Sequence, residues 1–162
     1  MKENFIQLGK DNILRLGIMD QEGNDTGEFL EFQLDDIELP LRYQELLERD
    51  KKNKERLRNQ ILIIEKREDV KGKKLFSKNE EDKIRALNDF FKEETDIYDM
   101  FLGEGGVKKL LHGQKLGWTS LEGIDEIIEK QIKPYLDQNI KDITQQIKDK
   151  YKEAQDRAKE LK

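Results

Sequence analysis

The spacing of apolar residues changes near Pro40, and this change constrains the fold more than any other feature of the sequence. Before Pro40, apolar residues occupy every second position in two short runs. The runs are Leu14, Leu16 and Ile18, and then Leu30, Phe32 and Leu34. After Pro40, apolar residues recur at every third or fourth position, which is typical of helices, whereas a period of two is typical of strands. The sequence therefore predicts a mainly α protein (α+β) in which an N-terminal β-hairpin precedes about four to five helices.

The two alternating runs are separated by residues 20–27, which are rich in Asp, Asn and Gly. These residue types favour turns, so residues 12–35 are predicted to form a hairpin with a long loop. An isolated hairpin is only marginally stable in water. Its apolar face is therefore expected to be covered by helices or by another copy of the protein.

The chain of 162 residues is expected to form a single domain over residues 1–151. Residues 40–136 are predicted to be its helical core and residues 137–151 a long C-terminal helix. The apolar spacing weakens in residues 152–162, which are predicted to be a frayed or disordered tail.

Local signals predict where the helices begin and end. Pro40 behind acidic residues predicts the start of the first helix. Ser77-Lys78-Asn79-Glu80 and Thr119-Ser120-Leu121-Glu122 are capping boxes that predict two further starts. Gly103 is a predicted helix end, and Pro134 is expected to kink or break the last helical region.

The residues needed for catalysis are scarce. The chain has no Cys and a single His, and it contains none of the common nucleophile, phosphate-binding or zinc-binding motifs. His112 precedes Gly113 at the end of a short helical segment, where a cation complements the helix dipole. The sequence therefore predicts no enzyme, no cofactor and no metal site.

Charge is plentiful and unevenly distributed. Charged residues make up 41% of the chain, and no apolar run is long enough to cross a bilayer, so we expect a soluble protein with no membrane partner. Eleven basic and five acidic residues lie between Arg49 and Leu75. A basic helix can bind phosphates, but no aromatic residue is interleaved for base stacking, which argues against nucleic acid as a partner.

The segment Asp99 to Gly113 combines apolar residues with three glycines in four positions. One interpretation is a tight corner between two helices. The other is an apolar patch beside a mobile corner, framed by Phe101, Leu102, Leu110, Leu111 and Trp118. On the second interpretation, the predicted partner-binding residues are Phe101, Leu102, Gly103, Glu104, Gly105, Leu110, Leu111 and Trp118.

The stretch Met100 to Gly113, with its Gly-Glu-Gly-Gly and Lys-Lys-Leu-Leu-His-Gly sequences, resembles the tail assembly chaperones of long-tailed, siphovirus-like bacteriophages and prophages. The resemblance extends to Leu34–Tyr43 and to Trp118–Leu136, and spans Leu30 to Tyr151. It implies a protein that binds the tape measure protein and helps to recruit tail tube subunits during virion morphogenesis. It also implies a location in the host bacterial cytoplasm and absence from the mature virion.

Two other functions remain open from the sequence. A structural tail or adaptor subunit would assemble as a homo-oligomer through the edge of the hairpin, because edge strands invite pairing. A nucleic-acid-binding accessory protein would use the basic helix within residues 49–75. Both alternatives, like the chaperone, work by binding rather than by catalysis.

Overall fold

The computed structural model describes residues 4–6, 12–72 and 75–161. It confirms a mainly α protein with an N-terminal two-stranded antiparallel hairpin and a long C-terminal helix. The elements are β1 (Ile13–Met19), β2 (Asp25–Gln33), α1 (Glu38–Lys66), α2 (Lys78–Leu102), α3 (Gly106–Leu110), α4 (Trp118–Ile127), a π-helical turn (Ile128–Ile132) and α5 (Lys133–Glu160).

In the hairpin, Leu14 lies opposite Phe32 and Leu16 lies opposite Leu30. This pairing places the apolar residues of both strands on one face, where Leu30 and Phe32 are buried. The helices cover that face: the Phe32 ring packs on Phe101 of α2, with 5.7 Å between ring centroids. One hydrophobic cluster contains buried residues from both strands, from all five α-helices and from the π-helical turn.

Helices α1 and α2 pack against each other as a long pair. Helix α1 begins at Glu38, two residues before Pro40, and ends at Lys66. The buried side-chain amide of Asn79 donates to the carbonyl of Ile64 at 3.2 Å and to that of Arg67 at 3.3 Å. Asn79 thereby satisfies terminal carbonyl groups that a helix leaves without partners.

The N-cap half of the first predicted capping box is confirmed at Ser77, and the second box is displaced. The hydroxyl of Ser77 accepts a hydrogen bond from the backbone N–H of Glu80 at 3.1 Å, as a helix N-cap does. The prediction of a box beginning at Thr119 was wrong. Helix α4 begins at Trp118, directly after its N-cap Gly117. The hydroxyl of Ser120, at the third position of the helix, accepts a hydrogen bond from the backbone N–H of Gly117 at 2.8 Å.

Pro134 follows the π-helical turn rather than ending the helix. The backbone N–H of Lys133 donates to the carbonyl of Ile128, five residues earlier, which is the π-helical pattern. The wider turn accommodates a residue that has no N–H to donate. Helices α4 and α5 are therefore continuous through this turn.

The C-terminal helix is longer than the sequence predicted. We expected it to end at Tyr151, with a frayed or disordered tail at 152–162, but α5 continues to Glu160. Lysine, glutamate and alanine residues, which favour helix, continue to the end, and Lys150 pairs with Glu153 at 3.3 Å. All the described residues beyond Tyr151 are exposed, and Lys162 lies outside the described residues.

Candidate functional site: a lysine-rimmed groove at the glycine corner

A hydrogen-bonded corner connects α2 to α3. Gly103 ends α2 with φ of 104°, and Gly105 precedes α3 with φ of 70°, conformations that glycine adopts at little cost. The carboxylate of Asp99 accepts a hydrogen bond from the backbone N–H of Val107 at 2.9 Å. The corner is thus tied to the last turn of α2, and this favours the tight-corner interpretation of its glycines.

An aromatic cluster lies where α2 meets the start of α4. The Trp118 ring centroid is 5.1 Å from that of Phe90 and 4.9 Å from that of Phe91. Phe90 is buried, whereas Trp118 keeps 48% of its surface exposed. Trp118 therefore belongs to the core on one side and to the protein surface on the other.

A groove of about 560 Å³ runs between α2 and residues 107–116, beside this cluster. Val107 and Leu116 are buried apolar residues of its wall, and Phe91 is partly buried. Its lining consists of Asn88, Phe91, Lys92, Thr95, Asp96, Val107, Lys108, Gly113, Gln114, Lys115 and Leu116. The groove can hold an apolar segment of another chain, with polar side chains around its mouth.

Two of the predicted partner-binding residues are core residues. Phe101 and Leu102 are each 3% exposed. Phe101 packs on Phe32 and, at 5.6 Å between ring centroids, on Tyr43. These two side chains are therefore core and not surface residues, because the helical spacing that places them on the apolar face of α2 turns them inward; their role in partner binding stays a prediction.

The other predicted residues do not form one surface either. Gly103 and Glu104 are exposed, and Gly105 is partly exposed. Leu110 and Leu111 are partly buried against the core, and Leu110 lines a separate cavity of about 370 Å³ beside β1. Of the eight residues, Trp118 is the one whose ring contacts a wall of the groove, edge to face with Phe91.

Sequence reasoning missed the lysines of the groove. Lys92, Lys108 and Lys115 come from α2, α3 and the segment before α4, and the fold brings them to one mouth. No local pattern links these three positions. The paired Phe90 and Phe91 were visible in the sequence, but their spacing indicated only a helix face.

A second polar cluster lies between α1, α2 and α4. Glu94 is completely buried, and neither of its carboxylate oxygens has a hydrogen-bond partner among the described residues. Burial, followed by the neighbouring carboxylate of Asp50, raises the pKa of Glu94 to about 8. Burial also raises the pKa of Asp125, although Tyr98 donates a hydrogen bond to that carboxylate and opposes the shift. Near neutral pH, Glu94 therefore carries a proton, which removes the repulsion from Asp50.

These acidic groups do not form a metal site. Over residues 4–6, 12–72 and 75–161, no three His, Cys, Asp or Glu side chains are grouped closely enough to hold a metal ion. His112 is exposed, and its backbone has φ of 54° at the end of α3. Nor does any helix within these ranges combine the length and the apolar character needed to span a bilayer.

Basic residues of the 49–75 segment pair with carboxylates of the same chain. Arg49 contacts Glu93 at 3.1 Å, and Lys54 contacts Asp50 at 2.9 Å. Arg67 pairs with Asp82 across the turn, and this hydrogen bond lowers the pKa of Asp82. Lys73 and Lys74 lie outside the described residues. Part of the positive charge of α1 is thus matched by α2.

Comparison with known proteins gives no match. No protein-family model, no curated protein and no solved structure is significantly similar to this chain.

Proposed function

We propose that this protein is a tail assembly chaperone of a long-tailed bacteriophage. It binds the tape measure protein, keeps the apolar helices of that client in solution, and helps to recruit tail tube subunits. The proposal rests on the resemblance in residues 100–113 and on one structural observation, the open groove that this same segment borders. Like the resemblance, it assigns the protein to the host bacterial cytoplasm and not to the finished tail.

The groove suits a helical client. Helix α2 contributes Asn88, Phe91, Lys92, Thr95 and Asp96, which share one helix face over about two turns, or roughly 12 Å. Amphipathic helices are recognised by laying their apolar faces into grooves of this kind. Such binding needs no chemical step, in agreement with the lack of catalytic motifs in the sequence.

The proposal is tested by co-expressing the protein with the tape measure protein of the same phage genome. We expect the client to be retained on the tagged chaperone and its soluble fraction to rise. The variant Asn88→Phe, which places a ring in the groove, should lose the client. Asn59→Phe changes an exposed Asn of α1 away from the groove and should retain it. A client that is equally insoluble with and without the protein would contradict the proposal.

The structural-subunit alternative has one supporting observation. In the described part of the chain, the sheet consists of β1 and β2 alone, so each strand has an edge that no other strand pairs with. Open edges can pair with another copy. This alternative predicts stable oligomers of the purified protein alone and its presence in finished particles, and both are readily measured.

A further inference from the structure

The rim of the groove carries lysines without ion-pair partners. Lys92, Lys108 and Lys115 are exposed, and none forms an ion pair with a carboxylate among the described residues. Other lysines of the same chain do form such pairs; Lys54, Lys78 and Lys130 each pair with an acidic residue four positions away. The three lysines of the groove are therefore available to charges from outside the molecule.

The charge of the groove is opposite to that of the whole protein. The chain has a formal net charge of −5, yet the groove is lined by three lysines and by one acidic residue, Asp96. Between them lies the partly exposed Phe91, with the buried Val107 and Leu116 behind it in the wall of the groove. Complementary charges around such a surface select the partner and set its orientation.

We infer that the groove binds an amphipathic helix whose apolar face is flanked by Asp and Glu residues. This inference rests on the proposed function and specifies the client segment that the groove selects. The apolar face of the client packs on the exposed part of Phe91, which the buried Val107 and Leu116 support from behind, and its flanking carboxylates meet Lys92, Lys108 and Lys115. A helix flanked by Lys or Arg is rejected, because like charges would face each other around the groove.

The single Trp of the chain gives a direct assay, because Trp118 is half-exposed and makes an edge-to-face contact with Phe91 in the groove wall. The probes are two synthetic amphipathic peptides with the same leucine face, one flanked by Glu and the other by Lys. We expect the Glu peptide to shift Trp118 emission and to bind at least about tenfold more tightly than the Lys peptide. Its binding should weaken as salt is raised.

Charge reversal provides the matched test. The triple variant Lys92→Glu, Lys108→Glu and Lys115→Glu should prefer the Lys peptide. The control variant Lys141→Glu, Lys148→Glu and Lys152→Glu makes the same change in net charge on exposed positions of α5 and should keep the original preference. Circular dichroism establishes that both variants remain folded.

Three outcomes would overturn the inference. They are equal binding of both peptides, absence of binding by either, and unchanged preference in the groove variant. Dimers of the parent protein that the groove variant abolishes would instead assign the groove to a second copy. If the parent and the groove variant capture the tape measure protein equally, the proposed charge selection is wrong and the chaperone function stands. If neither captures it, the chaperone function itself is wrong.

Discussion

The carboxylate of Asp99, in the last turn of α2, accepts a hydrogen bond from the backbone N–H of Val107 in α3 at 2.9 Å. Val107 is buried, so loss of this acceptor leaves a donor without a partner, which typically costs about 1–3 kcal/mol. We expect Asp99→Ala to lower the free energy of unfolding by that amount in urea denaturation. Asp99→Asn keeps an oxygen acceptor and should restore most of the loss. Equal destabilisation by the two variants would show that the charge, and not the hydrogen bond, is what matters.

The close approach of Gly106 to Leu102 gives a second prediction. A Cβ on Gly106 would lie 2.7 Å from the Cβ of Leu102, too close for any side chain. Gly106→Ala should therefore destabilise the protein by about 1–3 kcal/mol, as overpacking does. Gly123 lies within α4 with no atom near its missing Cβ, so Gly123→Ala should be neutral or stabilising by up to about 1 kcal/mol. Thermal unfolding of the two variants measures this contrast, and similar shifts in both would contradict it.

Glu94 predicts how stability depends on pH. Its pKa is about 8 in the folded protein, against an ordinary value of 4.5. Between pH 4.5 and pH 8, therefore, Glu94 is protonated in the folded state and ionised in the unfolded chain. The contribution of Glu94 to the free energy of unfolding is complete below pH 4.5. It falls by up to about 1.4 kcal/mol per pH unit as the pH rises from 4.5, and is lost once the pH has passed 8.

The variant Glu94→Gln tests this dependence, because an amide cannot lose the proton. We expect its stability to match the parent at low pH and to exceed it increasingly towards pH 8, in urea titrations at several pH values. Glu55→Gln, on an exposed position of α1, should follow the parent profile. A parent and a Glu94→Gln variant with parallel profiles would mean that Glu94 is not protonated when folded.

The turn between α1 and α2 depends on Asn79. Its amide donates to the carbonyls of Ile64 and Arg67, and its oxygen accepts from the guanidinium of Arg67 at 2.9 Å. Asn79→Ala should cost about 2 kcal/mol or more, because several polar groups lose their partners together. Hydrogen exchange should accelerate in the last turn of α1. Asn59→Ala, at an exposed position of α1, should leave both measurements nearly unchanged.

Much of the fold could be predicted because its signals are local. Alternating residues such as Leu14 and Leu16 predicted the hairpin, and Ser77 and Gly103 predicted the two ends of α2. A helix N-cap or a glycine stop acts through hydrogen bonds and backbone angles within a few residues, so sequence alone carries it. The end of α5 was missed because the apolar spacing fades there while helix propensity does not.

The candidate site could not be predicted in the same way. Whether Phe101 faces the core or the surface depends on the position of Phe32, about seventy residues earlier in the chain. The lysine rim likewise exists only because the chain folds back at Gly103 and brings Lys108 to the same groove as Lys92. Helical periodicity identifies an apolar face but does not say what covers it.

The π-helical turn before Pro134 also determines which side chains of α5 face the core. A π turn holds one more residue than an α turn, so Leu136 and Asn139 stay directed at the core instead of drifting around the helix axis. Deleting one residue from Ile128–Ile132 would rotate the whole of α5 by about 100° and expose both side chains. The one extra residue of the π-helical turn thus allows the apolar residues of α4 and those of α5 to face the same core.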